Sequence, residues 1–80
     1  MISMEQALIL IVLTPNFKRE NIDRLRSIPG VTSAYFLYGP YDAYVMINAR
    51  DRDGLRAAVM KIRETDGIKS TITCNVIQPQ

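Results

Sequence analysis

The run Ala7–Leu13, ALILIVL, contains no polar side chain. Rich in Ile, Leu and Val and ended by Thr14-Pro15-Asn16, it reads as a strand buried on both faces. Successive side chains of a strand point to opposite sides. Leu8, Leu10 and Val12 therefore form one apolar row, and Ala7, Ile9, Ile11 and Leu13 form the other. A chain built around such a strand has to cover both rows.

The rest of the chain supplies the candidates. FKRENIDRLRSI sets Ile22, Leu25 and Ile28 at helical spacing, which predicts a helix over about 17–28 that Pro29-Gly30 stops. VTSAYFLY is a second strand, and DAYVMIN is a third after the Gly39-Pro40 bend. The third alternates Ala43, Val45 and Ile47 with Asp42, Tyr44, Met46 and Asn48. Asp51 is a good N-cap for a second helix with Leu55, Ala58, Val59 and Ile62 on one face, and Gly67 lies just past its end. IKSTITCNVI is the last strand. Its alternation predicts Ile68, Ile72, Cys74 and Val76 facing inward, with Lys69, Thr71, Thr73 and Asn75 on the other side.

The order is βαββαβ. LRSIPGVTS (25–33) and IRETDGIKS (62–70) echo one another as helix end, glycine stop and strand start. Two βαβ halves of this kind predict an α+β, ferredoxin-like domain spanning 1–80: a four-stranded antiparallel sheet with two helices on one face. The helices can cover only one row of the first strand. The other row, joined by Tyr44 and Met46, faces away from them, and an apolar open face of that kind marks an interface. At about 25 cal/mol per Å², burying a few such side chains contributes several kcal/mol. A core of this size by itself rarely supplies more than about 3–5 kcal/mol. An obligate homodimer follows, sheet packed on sheet, the dimeric α+β barrel arrangement.

Composition removes several alternatives. Hydrophobic residues at 48% and charged ones at 22% describe a folded globule rather than a disordered chain. Cys74 is the only cysteine, so no internal disulfide forms, and without histidine a zinc site is improbable. No metal or cofactor is expected. Lys and Arg are interspersed with acids at a net charge of +2, which argues against direct nucleic-acid binding. The apolar start has an acid where a signal peptide needs a basic region and is too short to span a bilayer, so no membrane association is expected. A lone thiol fits a reducing compartment, and the expected location is cytoplasmic.

The bend Gly39-Pro40-Tyr41-Asp42 permits two readings. Glycine and proline are ordinary turn formers, and an aspartate there can simply bond nearby amides. Equally, Asp42 and the hydroxyls of Thr71 and Thr73 can form a polar site.

Taken together, Pro29-Gly30-Val31, the turn Gly39-x-Tyr41-Asp42, the helix-opening Asp51, and Gly67-Ile68 followed by Thr71-x-Thr73 resemble the ligand-sensing domain of the Lrp/AsnC family of feast/famine regulators. The resemblance covers about 7–77. It implies dimers that assemble further, commonly as a tetramer of dimers, with free amino acids bound at contacts between dimers. Carried over by position, Gly39, Tyr41, Asp42, Thr71 and Thr73 bind the ligand, and Tyr38 and Pro40 line the pocket. Asp42 would pair with the ammonium, while turn amides and threonine hydroxyls receive the carboxylate. Pro40 stands where the family usually has an acid, and Tyr38 where a small polar residue is common. Full-length relatives carry a helix-turn-helix domain before the sensing fold. Met1 here opens almost directly into the first strand, so the expectation is a stand-alone sensing domain, with a full-length DNA-binding relative as a candidate partner for co-assembly.

Two other functions compete. Small dimeric α+β-barrel enzymes, monooxygenase- or isomerase-like, would need Asp42 or another carboxylate as base with Tyr38, Tyr41 or Tyr44 as partner. The absence of histidine weighs against this. Cys74, read as inward-facing, is a core thiol rather than a nucleophile. No catalytic residue is assigned. The third reading is a purely structural assembly domain.

Overall fold

The computed structural model describes residues 4–77. Six elements follow in order: β1 (Glu5–Leu13), α1 (Asn21–Arg26), β2 (Val31–Phe36), β3 (Ala43–Ala49), α2 (Arg52–Arg63) and β4 (Ile68–Asn75). The strands form one antiparallel sheet in the order β2-β3-β1-β4. The apolar run of β1 thus takes a central place, the position that suits a strand with no polar face. The βαββαβ order and ferredoxin-like sheet expected from the sequence are what the chain forms.

The two helices cover one side. Ala7, Ile9 and Ile11 of β1, with Ala43, Val45 and Ile47 of β3, are buried against Ile22 and Leu25 of α1 and Ala58 and Ile62 of α2. Leu13, Leu55, Val59 and Ile68 pack around this cluster. On the other side, Leu8, Leu10, Val12, Tyr44 and Met46 are half-buried, and Tyr35 and Ile72 are exposed. The register places them in common rows: Leu8 opposite Met46 and Cys74, Leu10 opposite Tyr44 and Ile72.

Three expectations need correction. The first helix is shorter than 17–28. Asn21, Ile22 and Asp23 donate to Lys18, Arg19 and Glu20 in i→i−3 turns, so the entry is tighter than an α-helix. Glu20 provides no side-chain cap, whereas Asp51 accepts from the Gly54 amide at 2.7 Å and starts α2 as expected. Phe17 instead leaves the helix and meets Phe36 edge-on at 6.1 Å.

The second correction concerns β4. Ile68 does not share a face with Ile72 and Cys74. Ile68 pairs with Leu13 and Ser70 with Val12, so one extra residue of β4 is inserted there. Such a bulge reverses the alternation. Ile68 then packs on the core, while Ser70, Ile72 and Cys74 turn to the open face.

The third is Cys74 itself, expected as a core thiol. It is exposed, opposite Leu8.

The two glycine stops behave alike in backbone and differently in surroundings. Gly30 and Gly67 have φ of 94° and 89°, in the region that favours glycine. A Cβ on Gly67 would lie 2.7 Å from the Phe17 Cα, while one on Gly30 would meet nothing closer than 3.5 Å. Gly67 also accepts from the Thr14 amide at 2.8 Å, locking the entry to α1 against the exit from α2.

Candidate functional site: the β2–β3 turn

β2 ends at Phe36, two residues earlier than the sequence reading, because the chain turns back at Leu37. The Leu37 amide donates to the Asp42 carbonyl at 2.9 Å, closing the loop over residues 38–41. At its far side the Asp42 amide donates to the Ile11 carbonyl at 2.8 Å. The Leu13 amide donates to Asp42 Oδ2, also at 2.8 Å. The carboxylate therefore takes the place of the backbone carbonyl that would continue the β1–β3 ladder. A charged acceptor strengthens that bond, and it ties the turn to the end of the central strand. Among the described residues it is the only side-chain hydrogen bond of Asp42. The second oxygen is left for another donor.

Around this anchor the turn is open. Gly39 has φ of 137°, and a Cβ there would meet nothing within 4 Å. Its glycine serves backbone conformation rather than close packing. Tyr38 is fully exposed at 107%, Pro40 is exposed and Tyr41 is half-buried.

Thr71 and Thr73 lie across β1. Thr71 pairs with Ile11, which on its other side pairs with Ala43, and Thr73 pairs with Ile9. With neighbouring strands about 4.8 Å apart, Thr71 and the start of β3 are separated by roughly two such steps. The threonines occupy the row of Ile9 and Ile11, on the helix side of the sheet at its β4 edge. Thr71 is half-buried and Thr73 exposed, and Thr71 lines a shallow recess of about 330 Å³ with Arg63, Lys69 and Ser70. One chain thus brings Gly39, Pro40, Tyr41 and Asp42 together at the end of β1. It does not join them to the threonines, and no hydrogen bond links the two groups among the described residues.

Three features escaped the sequence reading. The Leu13 amide is a backbone group that the fold brings to Asp42 from 29 residues away. The others are recesses formed by loops and helices. One, of about 740 Å³, is polar and lies between the β1–α1 loop and Gly67, with Lys18, Arg24, Glu20 and Asp66 around it. The other, of about 420 Å³, lies at the opposite end of the sheet from the turn, between the α1–β2 connection and α2. Neither has a contiguous sequence signature. Among the described residues no three His, Cys, Asp or Glu side chains gather to hold a metal ion, and no helix is long and apolar enough to cross a membrane.

Residues 6–79 match the sequence model of the Lrp/AsnC ligand binding domain. The chain belongs to this family. Two solved structures superpose with TM-scores of 0.81 at 32% identity. FFRP-DM1 matches over 91% of this chain and 99% of its own, and a hypothetical protein of Pyrococcus horikoshii over 94% and 92%. A transcriptional regulator of Neisseria meningitidis, solved in complex with L-Met, shares the fold at a TM-score of 0.77 and 18% identity, over 92% of this chain and 50% of that one. Among curated proteins, the homocitrate synthase of Sulfurisphaera tokodaii is 36% identical over 55 residues, 69% of this chain. The chain spans only 12% of the length of that relative. As an Lrp/AsnC domain, the protein is an effector-binding regulatory module.

Proposed function

We propose that this Lrp/AsnC domain works without catalysis, as a cytoplasmic homodimer that assembles further and binds a free amino acid in a cleft shared between chains. The observation that carries the reading is the open face of the sheet. Leu8, Leu10, Val12, Tyr44 and Met46 form a continuous apolar surface that the helices leave uncovered. An unpartnered face of this kind favours pairing with a second copy.

The turn supports the second half of the proposal. Gly39 and Asp42 are exposed, Tyr41 beside them is half-buried, and Tyr38 and Pro40 are exposed as well. In an assembly, Asp42 would receive the ligand's ammonium, and Thr71 and Thr73 of a neighbouring copy could supply the hydroxyls that β1 separates from the turn within one chain. The proposal extends to ring assembly as four dimers and to mixed assembly with a DNA-binding relative. An effector would shift such an equilibrium only through a difference in affinity between its states.

A second reading follows from the homocitrate synthase match. The module could serve a metabolic enzyme in the same way, as a regulatory unit that senses an amino acid. Calorimetric titration with the twenty amino acids, with oligomer mass followed in parallel, tests both. Heat and a mass change with one amino acid are expected. No heat and no mass change with any of them would remove the effector role. Asp42→Ala should abolish the response while leaving the dimer intact.

A further inference from the structure

We infer that the recess between the α1–β2 connection and α2 is a binding site for a small apolar monocarboxylate. It is independent of the turn and stands at the other end of the sheet. Its volume of about 420 Å³ falls within the roughly 300–1,000 Å³ of small-molecule sites.

The lining sets the chemistry. Ile28, Pro29, Ala49, Ala57 and Ala58 give apolar walls, and the small alanines of α2 are what leave the space open. Arg50 and Lys61 also line it, and neither has an ion pair among the described residues. The one carboxylate in the lining, Asp51, accepts from the Gly54 amide through Oδ1 as the cap of α2. Two cations against one carboxylate leave a positive excess. An apolar body with a single anionic group complements both features. The larger recess beside Lys18 and Asp66 has mixed charges and no apolar walls, so it offers a small ligand little burial.

The site also stays usable in an assembled protein. Its walls belong to α2 and the α1–β2 connection, on the helix side, so covering the open face of the sheet leaves it exposed.

The test uses 3-phenylpropanoate as probe, with its isosteric amine and primary amide as controls, followed by amide NMR of the full chain. The carboxylate should give saturable shifts at Gly30, Ala49, Ala57 and Ala58, and the amine none. Ala57→Phe, at an exposed helix position, should fill the recess and abolish the shifts. Should that variant not fold, Arg50→Gln with Lys61→Gln serves instead. A pair of exposed charges contributes modestly, so the double variant should weaken binding about three- to fivefold. Equal binding of the amine or amide, unchanged affinity in the double variant, shifts confined to residues 37–42, or no saturable shift at all overturns the proposal.

Discussion

The two rows of β1 are built from nearly the same residues and meet opposite fates. Ala7, Ile9 and Ile11 are 0% exposed under the helices, whereas Leu8, Leu10 and Val12 one step along remain half-buried. Residue chemistry does not distinguish them. The helices do, because two right-handed crossovers place both on the same side. One row therefore stabilises the chain itself, and the other stays uncovered and is the face the proposed dimer would use. A strand apolar on both faces exceeds what folding of one chain can bury.

The sharpest way to break this comparison is to truncate one residue in each row. Ile9→Ala should cost about 3–4 kcal/mol, as expected for a large side chain removed from a closed core. The loss, read from urea denaturation, should not depend on protein concentration. Leu10→Asp should instead leave the fold recognisable by circular dichroism and convert the assembly to monomer by light scattering. Its melting temperature should lose the concentration dependence expected of a dimer. If Leu10→Asp stays dimeric, the open face is not the interface.

The β4 bulge offers a finer division of the same kind. Ile68 packs on the core and Ile72 faces the open side. Ile68→Ala should cost about 2 kcal/mol in a monomeric background, while Ile72→Ser there should change stability by less than about 0.5 kcal/mol. Equal effects would mean that the alternation is not reversed at the bulge. Asp42→Ala removes the acceptor of the Leu13 amide and should cost about 1–2 kcal/mol, measured in the same background. The smallest effect is kinetic. Cys74 is exposed opposite Leu8, so it should react readily with a maleimide at high dilution and more slowly as concentration drives assembly.

Much of the fold was legible because it rests on local periodicity. The strand and helix patterns, the Asp51 cap and the glycines at 30 and 67 each report on their own neighbourhood. The misreadings have two causes. Cys74 and Ile72 sit in a strand whose alternation looks unbroken, but the inserted residue arises from pairing with Val12 and Leu13, far away in the chain. α1 begins late because the segment before it closes i→i−3 turns and releases Phe17 toward Phe36. At the turn, Gly39, Tyr41 and Asp42 could be read from residue type and spacing. That Asp42 already serves the Leu13 amide could not.

Residue order alone was enough to establish the elements, their succession and the family pattern, because hydrophobic spacing and turn chemistry act over a few positions. Only the folded chain decided which face of β1 stays open, where β4 reverses its alternation, and that Thr71 and Asp42 stand on opposite flanks of the central strand. Those outcomes depend on strand pairing and helix placement between distant segments, where free energy is set by contacts that no local pattern specifies.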